Sequence, residues 1–142
     1  MWHVKKFEEL SLTELEQILK MRQDIFIIEQ ESLFSDIDGK DQEATHLMKK
    51  EGNVITSYCR ILVGDNVNIN RVVVNKDHRG NGMGRELFQY AMDYAKDTYP
   101  NKKIEIIAMA YLDEFYSSFG FKAVSDTYDI AGHDHFDMEY TP

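Results

Sequence analysis

The stretch Val72-Val73-Val74-Asn75-Lys76-Asp77-His78-Arg79-Gly80-Asn81-Gly82-Met83-Gly84-Arg85 decides how this chain is read. Its valines end a strand that reads as buried, because an unbroken β-branched run leaves no polar face for water. Three glycines follow within five residues. Lacking Cβ atoms, they let backbone N–H groups converge on one point. A helix begins at once. Leu87, Phe88, Ala91, Met92 and Ala95 share one face from about Gly84 to Thr98, and Pro100-Asn101 ends it. The first turn of a helix carries unpaired N–H donors and the positive end of the dipole. Strand, glycine turn and helix start together form a cradle for a pyrophosphate, with Arg79 and Arg85 adding charge. The loop lacks Gly-Lys-Ser/Thr, so it is not a Walker A loop. Its G-x-G-x-G spacing also differs from the G-x-G-x-x-G of dinucleotide folds.

Upstream of this turn, Trp2 to Phe7 reads as a first strand. Ser11-Leu12-Thr13-Glu14 reads as a capping box opening a helix whose apolar residues run from Leu12 to Phe26. Glu31 to Glu43 is polar and Asp-rich, hence a loop. Ala44–Lys50 and Val54–Val63 form a hairpin about Gly52-Asn53, and Val67–Val74 is the long strand entering the glycine turn. Downstream, Lys103–Met109 is a strand and Tyr111–Ser118 a short helix capped by Gly120. Phe121–Thr127 and His135–Tyr140 close the chain as strands. An antiparallel start and a β-α-β centre give an α+β sheet with helices on its faces. No linker, repeat or low-complexity tract divides residues 1–142, so a single domain is expected.

Net charge is −9 over 142 residues, which argues against a nucleic-acid partner. No apolar run approaches the roughly 18 residues of a membrane span. The first residues show no secretory signal, and the lone Cys59 fits a reducing cytoplasm. The charge is uneven: −5 over residues 29–43, −6 over 113–142 and +3 over 71–103. Either the acids are a solvated surface, or they border a site for a cation.

Arg79-x-x-Gly82-x-Gly84 after a Val-rich strand resembles the acetyl-CoA motif of the GNAT (GCN5-related) N-acetyltransferases. Phe115-Tyr116-Ser117-Ser118-Phe119-Gly120-Phe121 resembles that family's Tyr-x-x-x-Gly-Phe segment, in the expected order. More narrowly, the chain resembles the ElaA-like branch. The marks are Arg22-x-x-x-Phe26-Ile27-Ile28-Glu29-Gln30, Asp36-x-Asp38-Gly39-Lys40-Asp41, Ala44-Thr45-His46-Leu47, Arg71-Val72-Val73-Val74 and His135-Phe136-Asp137-Met138. Departures fall at Met109, Tyr111 and His133-Asp134, near the expected acceptor side.

The resemblance implies a single acyl-CoA N-acyltransferase domain with a central mixed, mostly antiparallel sheet flanked by helices. It implies acetyl-CoA as co-substrate, no metal, and an amine acceptor that is a small molecule or peptide. The flanking acids make that acceptor cationic. A homodimer is left open. The amides of Gly80, Asn81, Gly82, Met83, Gly84 and Arg85, with Arg79, would hold the pyrophosphate. The backbone of Val72, Val73 and Val74 would line the pantetheine arm. Tyr116 would protonate the departing thiolate. For the base that deprotonates the amine, Glu29, His46 and His135 are the candidates.

Two other activities fit parts of the pattern. One is a non-catalytic acyl-CoA-binding regulatory domain. The other is an acyl-homoserine-lactone synthase, which shares an early Arg…Phe…Asp-x-Asp-x-x-Asp pattern seen here in Arg22, Phe26, Asp36, Asp38 and Asp41. Calcium is disfavoured because Gly39 and Leu47 stand where an EF-hand loop would need other residues. His133 and His135 lack a third zinc ligand.

Overall fold

Ser11 accepts a hydrogen bond from the Glu14 amide at 3.0 Å, and the Glu14 carboxylate accepts one from the Ser11 amide at 2.8 Å. This reciprocal cap starts α1 (Leu12–Arg22), whose inner face carries Ile18, Met21 and Arg22. The computed structural model describes residues 1–142. Beyond Arg22 the chain keeps winding but widens into a π-helical segment, Gln23–Glu29. The wider turn rotates the following side chains relative to an α-helix, and such segments mark functional sites. Here it sets Phe26, and Gln30 just after it, against the cavity described below.

The strands are β1 (Trp2–Lys6), β2 (Thr45–Glu51), β3 (Val54–Val63), β4 (Val67–Val74), β5 (Ile104–Met109), β6 (Lys122–Ala123), β7 (Tyr128–Ile130) and β8 (His133–Tyr140). They form one sheet in the order β1-β2-β3-β4-β5-β8-β6, with β7 also pairing with β8. All pairings are antiparallel except β4 with β5, where α2 (Met83–Thr98) makes the crossover. The short α3 (Asp113–Ser117) follows β5 after a 3-10 turn. The mixed, mostly antiparallel sheet with helices on both faces is as expected.

Two apolar clusters fill the faces. Leu87, Phe88, Ala91, Met92 and Ala95 of α2 pack on one face against β3, β4, β5 and β8. Ile18, Met21 and Ile25 pack on the other against Met48, Ile55, Tyr58 and Val73. Fully buried Cys59 sits in the first cluster, where burial pushes its thiol far above the ordinary range. It is an inert core residue.

Two irregularities shape the centre of the sheet. Between β3 and β4 the register changes, so that Tyr58 faces Val73 while Arg60 faces Asn70. Arg71 and Val72 thus bulge opposite Cys59. Arg71 has φ +53°, a left-handed conformation that non-glycine residues seldom adopt. The bulge shifts side-chain parity by one. Ile69 therefore faces the α2 core, while Val73 faces α1. The second irregularity is the short reach of the parallel pair. β4 and β5 meet only at Val67↔Ile104 and Asn68↔Glu105, then separate. β5 stays paired with β8 as far as Met109↔His135. Beyond Asn68, the β5-side edge of β4 has no strand partner, and the sheet opens into a cleft.

The final strands differ from expectation. Phe121–Thr127 was expected as one strand, but only Lys122–Ala123 pairs there. A separate hairpin joins β7 to β8 through Ala131 (φ +51°) and Gly132 (φ +88°). Two central residues at positive φ are the geometry of a tight hairpin turn.

Candidate active site

A cavity of about 560 Å³ occupies the opening between β4 and β5. One end is lined by Val72, Phe88, Ile106, Leu112 and Tyr116. The other is lined by residues of the 26–40 segment, the Arg71 bulge, and Ile107, Met109, Ala131 and His135.

Phe88, which lines this end, lies on α2, the helix that the glycine loop opens; the loop's own residues are not on the cavity wall. Gly80 and Gly82 stand at φ +89° and +72°, and a Cβ built on either meets nothing within 4 Å. The positive φ, rather than crowding, requires glycine there, and it leaves space directly over the backbone. Gly82 is the N-cap of α2 and offers no side chain. Its carbonyl accepts from the Glu86 amide at 3.0 Å, which leaves the amides of Met83, Gly84 and Arg85 as first-turn donors. Gly84 lies against Val74, with Val74 Cγ2 4.0 Å from a Cβ placed there. Asn81 is exposed in the loop. Such an end suits a pyrophosphate: three amides, a positive dipole and two nearby arginines.

Both arginines are already oriented. Arg85 lies over the rings of Phe115 and Phe119, at 5.2 and 5.0 Å, and donates to Ser118 Oγ at 3.1 Å. Arg79 makes a two-pronged pair with Glu29, at 2.6 and 2.8 Å. That pair ties the end of the π-helical segment to the glycine loop. The Arg79 guanidinium beside it holds the Glu29 carboxyl below the ordinary range. Both Glu29 oxygens are thus committed to a cation, and Glu29 is absent from the cavity wall.

Tyr116 projects from α3 into the first end of the cavity. Its ring meets Phe88 edge-on at 5.1 Å and also contacts Phe115 and Phe121. Gly120 makes this possible. At φ +94° it turns the chain after α3, and a Cβ there would press on Tyr140 at 3.2 Å. Burial, then Tyr111, push the Tyr116 phenol up to about 12. It stays protonated at neutral pH, and no hydrogen bond within the chain occupies its hydroxyl.

His46 takes a structural place. Its Nε2 lies 2.8 Å from the Asp41 carbonyl, and its Nδ1 2.6 Å from the Tyr58 hydroxyl. A carbonyl only accepts, so Nε2 carries the proton and Nδ1 accepts from Tyr58. The ring is 1% exposed, outside the cavity, and burial holds it below the ordinary imidazole range. Neither nitrogen is free for an incoming amine.

His135 differs. It lines the cavity opposite Met109, and its Nδ1 lies 2.8 Å from the His133 carbonyl. By the same logic Nδ1 is the donor, which leaves Nε2 with a lone pair. His133 donates through Nε2 to the Gln30 carbonyl at 3.0 Å, pinning the β7–β8 hairpin to the π-helical end.

The acidic loop is not a free anionic surface. Arg22, wholly buried, donates to Asp36 Oδ2 (2.9 Å), Asp41 Oδ1 (2.8 Å) and the Asp36 carbonyl (2.8 Å). Arg60 donates to both Asp38 oxygens at 2.8 Å, to Asp41 Oδ1 at 3.0 Å and to Asn70 Oδ1 at 2.7 Å. Arg71 closes the cluster through Asp36 and Asp38. Three carboxylates meet three guanidiniums inside the fold. The charge that suggested a cation beside this loop is spent there. No group of three or more His, Cys, Asp and Glu is arranged to hold a metal. No helix is long and apolar enough to cross a membrane.

Comparison with known proteins agrees with this geometry. A family model described as an acetyltransferase (GNAT) domain matches residues 15–142. Protein ElaA of Escherichia coli is 32% identical over 143 residues, covering 96% of this chain and 94% of that protein. Its crystal structure superposes with a TM-score of 0.92 at 31% identity, over 99% of both chains. An acyl-CoA N-acyltransferase from Pseudomonas aeruginosa superposes with a TM-score of 0.94 at 29% identity, again over 99% of both. The CoA-dependent acyl-homoserine lactone synthase BjaI shares the fold, with a TM-score of 0.84 at 15% identity over 99% of this chain and 82% of that one.

Proposed function

The chain belongs to the GNAT acetyltransferase family, and from that premise we propose that it moves the acetyl group of acetyl-CoA directly onto an amine. The observation that carries this reading is a cavity at the splayed β4–β5 edge lined by Tyr116 and by Phe88 of α2, the helix that the glycine loop opens. Acetyl-CoA supplies the activated acyl group. The amides of Met83, Gly84 and Arg85, with Gly80, Asn81 and Gly82 opening the loop, hold its pyrophosphate, and Arg79 and Arg85 flank it. Val72 to Val74 offer the unpaired β4 edge to the pantetheine arm, as an added strand would use it.

In the transfer a C–N bond forms and the C–S bond breaks. The acceptor arrives as ammonium and loses a proton before it attacks. Among the three candidate bases only His135 both lines the cavity and keeps an uncommitted ring nitrogen, so we assign this role to its Nε2. Glu29 serves as a tether for Arg79, and His46 as a brace for the loop. Tyr116, still protonated, gives its proton to the thiolate as CoA departs. The acceptor is a small amine or peptide end. The 29–43 half of the charge argument for a cationic acceptor is weakened, because Asp36, Asp38 and Asp41 are paired within the fold, while the acids of 113–142 still leave a cationic amine open.

Calorimetric titration with acetyl-CoA tests the reading. The wild type is expected to bind. Gly82→Trp fills the space over the loop, and is expected to bind at least tenfold more weakly while keeping its circular dichroism. Failure of acetyl-CoA and longer acyl-CoAs to bind the wild type overturns the enzyme reading. Binding without turnover of any amine favours an acyl-CoA-binding regulatory domain instead. Once an acceptor is found, His135→Gln is expected to lower kcat/KM by about 10²-fold while leaving acetyl-CoA binding unchanged. A kcat/KM within about threefold of wild type assigns the base elsewhere.

A further inference from the structure

The acceptor end of the cavity has an asymmetric wall. Arg71 lies over the Phe34 ring at 5.4 Å, and its Nη2 donates to the Asp36 carbonyl at 3.1 Å and to Asp38 Oδ2 at 3.3 Å. Its Nε stands 2.8 Å from Asp36 Oδ1. Its Nη1 has no partner in the chain. The other two guanidiniums of the cluster differ. Arg22 is wholly buried behind the wall, and every nitrogen of Arg60 is committed to Asp38, Asp41 or Asn70. Arg71 alone both borders the cavity and keeps a donor to give. Lys40 borders the same cavity and forms no ion pair. Of the acids on the cavity wall, Asp38 is held by Arg60 and Arg71, while Glu105 lies across on β5, accepting from Asn66 Nδ2 at 3.3 Å.

The guanidinium is fixed in place before any ligand arrives. Ordering its long side chain has been offset by the fold, so a ligand that uses it gains the interaction without that entropic cost. The left-handed backbone at Arg71 is local strain, and such strain persists where surrounding structure holds a residue for use. Burial and the neighbouring Arg60 hold the guanidinium below its ordinary range, so an added anion would relieve it. Charge-assisted hydrogen bonds are about twice as strong as neutral ones, and a guanidinium edge matches a carboxylate.

Resting on the acetyltransferase reading above, we infer that the acceptor amine also carries a carboxylate, seated on the free Arg71 Nη1 with Lys40 beside it. The substrate class is then amino acids or amines of similar build, rather than polyamines.

Matched pairs that differ only in the carboxylate test this: tyrosine and tyramine, lysine and cadaverine, histidine and histamine, with O-phosphoethanolamine as a phosphate arm. The wild type is expected to favour the carboxylated member by at least tenfold in kcat/KM, chiefly through KM. In Arg71→Gln the preference falls towards parity, and Arg71→Lys restores part of it. Equal or better turnover of the decarboxylated members overturns the inference while leaving the acetyltransferase reading intact. Stronger turnover of O-phosphoethanolamine overturns the carboxylate in favour of a phosphate. Retained preference in Arg71→Gln places the subsite elsewhere and also overturns it. A second readout needs no turnover and checks folding. N-acetyltyrosine should bind the wild type more tightly than N-acetyltyramine by titration, and Arg71→Gln should lose that difference while still binding acetyl-CoA. Failure of acetyl-CoA to bind the wild type is the result that overturns the enzyme reading, whereas N-acetyltyrosine binding no better than N-acetyltyramine overturns this one.

Discussion

Tyr116→Phe is expected to lower kcat by about 10²- to 10³-fold with KM for acetyl-CoA nearly unchanged. The substitution removes one oxygen and little else. The ring keeps its contacts with Phe88, Phe115 and Phe121, so α3 and the Gly120 turn should hold. What is lost is the one hydroxyl at the first end of the cavity that the chain leaves free. An ordinary thiol has a pKa near 8.5, whereas the Tyr116 phenol is pushed up to about 12. Tyr116 therefore holds its proton across the working range; transfer to a thiolate is uphill on those values, and it becomes feasible because the same burial disfavours the thiolate's charge and raises the departing thiol as well. No acid-side limb of the pH profile belongs to Tyr116. Acyl groups with better leaving thiols should be far less sensitive to the change, because they need no proton on departure. A kcat within about threefold of wild type would remove Tyr116 from the chemistry and return it to the aromatic core.

Much of this site is legible in the sequence because its signals are local. The glycine loop, the cap at Ser11, the β2–β3 hairpin and the apolar face of α2 are each written within a few turns or strand residues. They appear in the structure where the pattern puts them. Tyr116 is equally local, since Gly120 four residues on dictates the turn that follows it. What the sequence hides is non-local or breaks a propensity. The Ala131-Gly132 turn carries an alanine at positive φ in place of the usual Asn or Asp, so β7 went unseen. Arg71 sits in a left-handed conformation without being glycine, and no residue pattern announces its bulge. The π-helical widening after Arg22 leaves the apolar spacing nearly that of an α-helix. Most instructive is the acidic loop. Summed along the chain, residues 29–43 carry −5 and look like a surface for cations. In space, Asp36, Asp38 and Asp41 face arginines that lie 14 to 35 positions away. Linear charge density could not report partners at that separation. It thus overstated the free charge of this loop, and it passed over Arg71.

That buried cluster carries the largest stability effect. Arg22→Ala is expected to cost about 3–5 kcal/mol, a substantial part of the ~5–15 kcal/mol typical of a domain this size. Arg22 is 0% exposed, and its removal takes one of two guanidiniums from each of two interior carboxylates, leaving Asp36 to Arg71 and Asp41 to Arg60. Most of the loss is thus the cost of under-compensated buried charge, two carboxylates losing one shared cation, and not the worth of a single pair. Arg22→Met with Asp36→Asn and Asp41→Asn tests this point, since it removes charge of both signs and should recover part of the lost stability. Acid sensitivity follows from the same contacts. The guanidiniums of Arg60 and Arg22 hold the Asp38 and Asp41 carboxyls below their ordinary value of 3.8. A carboxyl with a depressed folded pKa stabilises the fold above its unfolded pKa, and loses that contribution as pH falls below it. Denaturant midpoints should therefore fall gently below about pH 6.5, where the unfolded chain protonates His46 and the buried ring does not, and drop more steeply beneath about 4. In the triple variant that acid-side drop should be shallower. A single Arg22→Ala variant within about 1 kcal/mol of wild type would mean that water reaches the cluster and screens it. The wall that presents Arg71 would then be soft, and the preference for carboxylated amines should weaken with it, because both rest on the same rigid set of ion pairs.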